Sequence, residues 1–146
     1  MEQHKDIGDV FDLANRRIEV AKEDLETAKN NLQGKHYRAA NNRAYYSIYH
    51  AITAVFALEN RAYKRHKDTI ANFSKDYVRT EIFSRELGKR IGKAEEVRHN
   101  SDYDEFYLVT KEESIKQVET AEILLIEVEK YLKEKKEERN TKNTEE

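Results

Sequence analysis

Within residues 39–60, AANNRAYYSIYHAITAVFALEN, an otherwise apolar run of helix formers carries Asn42, Arg43, Tyr46 and His50. At about 100° per residue, Arg43, Tyr46 and His50 fall on one face of a helix. A permanent cation and a group that titrates near neutral pH are the parts needed to hold an anion and move a proton. Polar groups on such a helix are either paired or belong to a site. The five histidines, His4, His36, His50, His66 and His99, never fall at the i, i+3 or i+4 spacing that puts two imidazoles on one helical face. A single EXXH stretch, Glu96–His99, stands without the second copy that a di-metal site needs, so neither a metal site nor a cofactor is expected. The chain also lacks a glycine-rich phosphate loop, HExxH, GxSxG and any cysteine, which removes the commonest enzyme classes.

The elements that must position these residues are helices. The 146 residues hold no proline and four glycines, and 38% are charged, set out in amphipathic stretches. That composition predicts an all-α domain. Phe11, Ala14, Ile18, Ala21, Leu25, Ala28 and Leu32 repeat at spacings of three and four, predicting a helix from about residue 9 to 33 that ends at Gly34. A second helix, residues 37–59, follows a link short enough to make the two antiparallel. Ile70, Phe73 and Tyr77 mark a third segment, and Leu87, Ile91 and Ala94 a fourth over residues 84–98. Residues 99–109, HNSDYDEFYLV, read as a loop. Thr110 with Glu113 three positions on predicts a capping box opening the last helix, whose seam is Val118, Ala121, Leu125, Val128 and Leu132. An up-and-down bundle of four or five helices over residues 1–135 is expected, with a disordered charged tail at 136–146. No signal-peptide pattern and no apolar run of roughly 20 residues appears, so a cytoplasmic protein that does not enter a membrane is expected.

The formal net charge is −2, but residues 61–100 hold 11 Lys/Arg against 6 Asp/Glu, while the remainder holds 16 against 23. Such a basic middle third is either a solvated face or a phosphate-facing surface.

NRAYYSIYHA at 42–51, YKRHKDTIANF at 63–73 and RHNSDYDEF at 98–106 together resemble the pattern of HEPN domains (higher eukaryotes and prokaryotes nucleotide-binding). More narrowly, they resemble the small stand-alone prokaryotic branch with an Arg…Asp-Tyr signature, over roughly residues 10 to 133. The resemblance implies a helical bundle that dimerises and is often encoded beside a minimal nucleotidyltransferase, several such pairs acting as toxin and antitoxin. It also implies RNA or nucleotides as the molecules handled. Catalytic HEPN members are metal-independent ribonucleases with an Arg-x4-6-His motif. Their chemistry needs a base for the 2′-hydroxyl, an acid for the leaving oxygen and fixed positive charge on the phosphorane.

Carried over by position, the resemblance gives Arg98 as the motif arginine, but Asp102 and Tyr103 stand where the histidine would be. A carboxylate, normally ionised at neutral pH, repels phosphate. Two histidines remain as substitutes: His99, if the helix ends beside it, and His66, which matches a histidine of this branch and would meet Arg98 across the bundle. The resemblance further implies Tyr103 as an acceptor of AMP from a nucleotidyltransferase partner. Asn42, Arg43, Lys64, Arg65, Lys67 and Asp102 are the candidate nucleotide-binding groups.

Plain structural roles compete with each assignment. Arg98 and Asp102 read as an i, i+4 ion pair. Asn42, Arg43 and Tyr46 read as a buried network with Asp102 or Tyr103, His50 as a core histidine, and tyrosines 45, 49, 63, 77 and 107 as packing or dimer contacts. Three functions follow: an interaction module for RNA, nucleotides or a nucleotidyltransferase, a metal-independent ribonuclease toxin, and a structural helical oligomer.

Overall fold

The computed structural model describes the backbone of residues 6–145 and the side chains of residues 10–142 and 144. His4, residues 1–5 of the expected domain and Glu146 lie outside the described residues. Five α-helices, and no strand among the described residues, make up the fold: α1 (Asp6–Gln33), α2 (Tyr37–Ala57), α3 (His66–Phe73), α4 (Arg85–Tyr103) and α5 (Lys111–Glu145). A single π-helical turn, Ser74–Val78, extends α3, with the Arg79 N–H reaching back to the Ser74 carbonyl at 2.9 Å.

The long helices α1, α2 and α5 form the centre. Ala14, Ile18, Ala21, Leu25 and Ala28 of α1 are buried, as are Val118, Ala121, Leu124, Leu125, Val128 and Leu132 of α5. Between them α2 is apolar on most of its circumference, with Ile48, Ile52, Val55 and Phe56 at 0–1% exposure. Each such side chain contributes roughly 1.5–3 kcal/mol by leaving water. The alanines of α2 let the backbones approach closely enough for the Ser47 hydroxyl to donate to the Ala21 carbonyl at 2.8 Å. α1 runs antiparallel to both neighbours, as Asp24–Arg43 and Ala21–Ser47 show for α2, and Lys29–Glu122 and Lys22–Glu129 for α5.

The α1–α2 turn closes through His36 N–H to the Asn31 carbonyl and Lys35 N–H to the Leu32 carbonyl. This is a Schellman closure, and the left-handed residue is Lys35 (φ 64°), not Gly34. A Cβ on Gly34 would lie 3.0 Å from the ring of exposed His36, which would have to shift by a few tenths of an ångström. The same closure ends α2, with Asn60 (φ 54°) in the left-handed position.

Two expectations are corrected. Residues 99–103 are helical, because α4 runs on to Tyr103, where the side chain of Asp102 lies against Arg98 one turn back. The stop is Asp104, whose side chain accepts from the Phe106 N–H at 3.0 Å. Residues 136–145 are helical too. Lys, Glu and Arg are good helix formers; Lys135 pairs with Glu138 at 3.7 Å, and the Arg139 guanidinium lies 4.5 Å from the Phe11 ring of α1. The capping box is present, with Glu113 N–H to Thr110 Oγ1 and Thr110 N–H to Glu113 Oε1, both at 3.0 Å.

Candidate functional site

Tyr45, Tyr46 and Tyr49 of α2 form the wall on which a histidine from α3 and an arginine from α4 converge. His66, the first residue of α3, stacks on Tyr49 with ring centroids 3.9 Å apart and meets Tyr45 and Tyr46 at 6.0 and 5.9 Å. Its Nδ1 lies 3.4 Å from the Tyr45 hydroxyl, a long hydrogen bond. A phenol can donate or accept, so Tyr45 holds the imidazole in either tautomer. Arg98 comes from α4, its guanidinium 5.0 Å from the Tyr45 ring and 6.0 Å from the Tyr46 ring. Tyr45 is buried, and burial pushes its hydroxyl pKa well above the usual phenol range, so it stays protonated.

The electrostatics follow from this convergence. Burial, reinforced by the charge of Arg98, lowers the His66 pKa below its ordinary value and keeps the imidazole neutral at pH 7. Burial opposes the charge on Arg98, but the Tyr46 hydroxyl and the Asp102 carboxylate outweigh it and raise its pKa. Arg98 Nε is 3.0 Å from Asp102 Oδ2, an ion pair that lacks the alignment of a hydrogen bond. Both side chains keep some solvent contact, at 20% and 29% exposure. Lys64, Arg65 and Lys67 are exposed and flank His66 in sequence, Arg65 pairing with Asp68 at 3.0 Å.

Other candidate residues lie elsewhere. His99 points away from Arg98 because α4 continues past it, and it packs on Tyr103 with centroids 4.7 Å apart. Arg43 pairs with Asp24 of α1 at 3.2 Å, not with Asp102 or Tyr103, and its guanidinium covers Tyr46. His50 shares that carboxylate, with Nε2 3.7 Å from Asp24 Oδ2, and burial lowers its pKa. Asn42 lines a shallow depression at the start of α2 with His36, Tyr37 and Arg38. Tyr103 is 72% exposed. Among the described residues no three His, Asp or Glu side chains converge as a metal-ligating group.

Sequence reasoning missed three participants. Asp24 closes the Arg43–His50 pair from another helix, and no local spacing announces it. Glu95 sits one turn before Arg98 and His99, and burial raises its carboxyl pKa against the pull of Arg98 and Lys67. The tyrosines of α2 read as packing, although their i, i+1, i+4 spacing already placed a continuous aromatic strip on one side of the helix.

The HEPN domain family matches residues 14–134, most of the chain. The chain belongs to the HEPN family. Curated relatives of this HEPN protein include two from Methanocaldococcus jannaschii. One, named Putative toxin MJ0142, is 30% identical over 79% of this chain and 78% of its own length. The other, named Putative toxin MJ0605, is 33% identical over 80% of this chain and 87% of its own length. A Thermotoga maritima relative named UPF0332 protein is 30% identical over 80% and 88%. The matched span holds all of α2, α3 and α4, and therefore every residue of the Tyr45–His66–Arg98 constellation.

Proposed function

We propose that this HEPN protein is a toxin-like, RNA-binding module in which Arg98 holds a phosphodiester and His66 moves the proton in a metal-independent cleavage. The observation that carries the reading is the convergence of His66 and Arg98 on the Tyr45–Tyr46 pair. When Nδ1–H donates to the Tyr45 oxygen, His66 Nε2 offers a free lone pair, and its lowered pKa keeps that pair available at neutral pH. His66 takes the proton of an RNA 2′-hydroxyl and the 2′-oxygen bonds to phosphorus. The bond from phosphorus to the 5′-oxygen then breaks, and the proton on His66 passes to that leaving oxygen. Arg98, exchanging Asp102 for the phosphate, meets the charge on the phosphorane. The names of the M. jannaschii relatives support a toxin role.

Purified protein incubated with labelled single-stranded RNA and tRNA in excess chelator tests this. Cleavage is expected, with a loss of about 10²–10³-fold in Arg98→Ala, the range for removing one preorganised donor from a transition state, and a comparable loss in His66→Gln. Cleavage unchanged in both variants sinks the assignment.

A second reading is favoured by a different observation. The end of α4 and the α4–α5 connection expose Tyr103, Phe106 (90%) and Leu108 (82%) close together in sequence, more apolar surface than a solvated loop needs. On this reading the protein is a non-cleaving cytoplasmic homodimer that docks a minimal nucleotidyltransferase, which transfers AMP to Tyr103. RNA that binds and stays intact, together with an AMP adduct on Tyr103 after co-expression with a neighbouring nucleotidyltransferase, is its expected signature by mass spectrometry.

A further inference from the structure

A cavity of about 240 Å³ opens between the first turns of the described α1 and the last turns of α2, beneath the connection that leads to α3. Leu13 and Arg17 line it from α1, Tyr49, Thr53 and Phe56 from α2, and Tyr63 from the connection. It is smaller than the roughly 300–1,000 Å³ of sites that hold drug-sized ligands, and its size suits one planar ring system. Tyr49 belongs both to this cavity and to the His66 stack, so a single aromatic ring separates the cavity from the proposed proton-transfer group.

The lining separates into committed and free groups. Arg61 lies over the Phe56 and Tyr63 rings at 4.8 and 5.6 Å, and its charge is met by Glu59 and Asp76 at 2.9 and 2.7 Å. Thr53 Oγ1 donates to the His50 carbonyl at 2.8 Å. Arg17, half-buried at the rim, makes no ion pair among the described residues, although its charge reaches His50. Tyr49, whose ring also stacks on His66, and Arg17 are therefore the tyrosine and the cation of the lining that no ion pair or side-chain hydrogen bond among the described residues takes up. Aromatic stacking beside an arginine is how single-stranded nucleic acid bases are held.

We infer that this cavity is a base subsite: it takes the nucleobase next to the phosphodiester held by Arg98, with the base against Tyr49 and Arg17 at its edge or its adjoining phosphate. The inference rests on the RNA reading above and assigns that site its base preference. A neutral aromatic ring of a protein partner would gain from the stack but leave Arg17 unanswered, which is why a nucleotide is the occupant.

The test is equilibrium binding of 2′-O-methyl trinucleotides, which cannot be cleaved, differing only in one base. Wild type is compared with Thr53→Trp, which fills the cavity, with Arg17→Gln, which keeps the apolar lining, and with Arg98→Ala. Circular dichroism and thermal melting check folding. Wild type is expected to separate its preferred from its worst base by about tenfold, the low end of what an arginine on a base edge discriminates, since stacking itself favours every base. Thr53→Trp and Arg17→Gln should flatten that preference, whereas Arg98→Ala should weaken all four oligonucleotides alike. Preference and affinity retained in both cavity variants, with affinity still lost in Arg98→Ala, would overturn the subsite and leave the RNA reading standing. If wild type binds no oligonucleotide, the RNA reading falls, and free nucleosides decide the cavity. Saturable nucleoside binding that Thr53→Trp abolishes sustains it as a base site; none overturns it as well.

Discussion

His66 and His50 both titrate below the ordinary histidine value when folded, chiefly because burial disfavours the charged ring. The unfolded chain, with pKa values near about 6.5, therefore binds protons first as pH falls. Their contribution to stability is complete above about pH 7 and is lost as pH drops through about 6.5 toward the folded values. A urea midpoint lower at pH 5.5 than at 7.5 is expected, with the difference reduced in a His50→Gln/His66→Gln double variant; an equal difference in that variant would refute the assignment. Asp102 gives a prediction of opposite flavour. Its carboxylate occupies the arginine that the RNA phosphate would use, so Asp102→Asn should tighten RNA binding by removing both a competitor and a repulsion. The fold should lose only about 0.3–0.5 kcal/mol, the usual worth of an i, i+4 pair on a helix. Tighter binding measured by anisotropy supports Arg98 as the phosphate group, and weaker binding would instead make Asp102 a positioning residue for it.

At the level of elements, α4 is held to the π-helical turn by a glycine. A Cβ on Gly88 would lie 2.6 Å from Val78 Cγ1, whereas a Cβ on Gly92, one turn on, would meet nothing within 4 Å. Gly92→Ala should stabilise by about 0.5–1 kcal/mol through helix propensity. Gly88→Ala should destabilise by about 1 kcal/mol net, as overpacking of about 1–3 kcal/mol exceeds that gain. Adding Val78→Ala should recover part of the loss in a denaturation cycle; additive effects would show that the two residues do not meet. This contact was illegible in the sequence, because a π turn shifts side chains off the 3.6-residue period by which Ile70, Phe73 and Tyr77 were read. The long seams of α1 and α5 were legible, since an amphipathic stripe with one buried side encodes its own partner surface. The two misread stretches failed for related reasons. Asn100, Ser101 and Asp102 carry turn-forming residue types, yet the Arg98–Asp102 pair lies within the helix they continue. The charged run from residue 136 lacks an apolar stripe, but its propensity and the Arg139–Phe11 contact continue α5. The site was legible only as separate pieces: Arg98 and His66 each stood out, but their meeting depends on α3 crossing α2 at Tyr45, a tertiary fact.

For the molecule as a whole, the formal charge of −2 makes general attraction to a polyanion unfavourable, so RNA must be drawn by a local field. The residues that could supply it, Lys64, Arg65 and Lys67, are exposed and bracket His66, while Arg98 stands behind it on the aromatic wall. Counterion release then sets the salt dependence. Each phosphate neutralised on a single strand contributes about −0.7 to the slope of log K against log salt, so these four cations give about −3. Lys64→Ala and Lys67→Ala should each make the slope shallower by about 0.7, equally for all sequences, because a phosphate contact carries no base information. Substituting exposed Lys133 of α5, a helix that contributes no residue to the constellation, should leave it unchanged. Slopes that do not respond to Lys64 or Lys67 would make the basic middle third a solvated face, and the approach of RNA would then have to be sought along Arg38 and the start of α2, where Asn42 lines the surface.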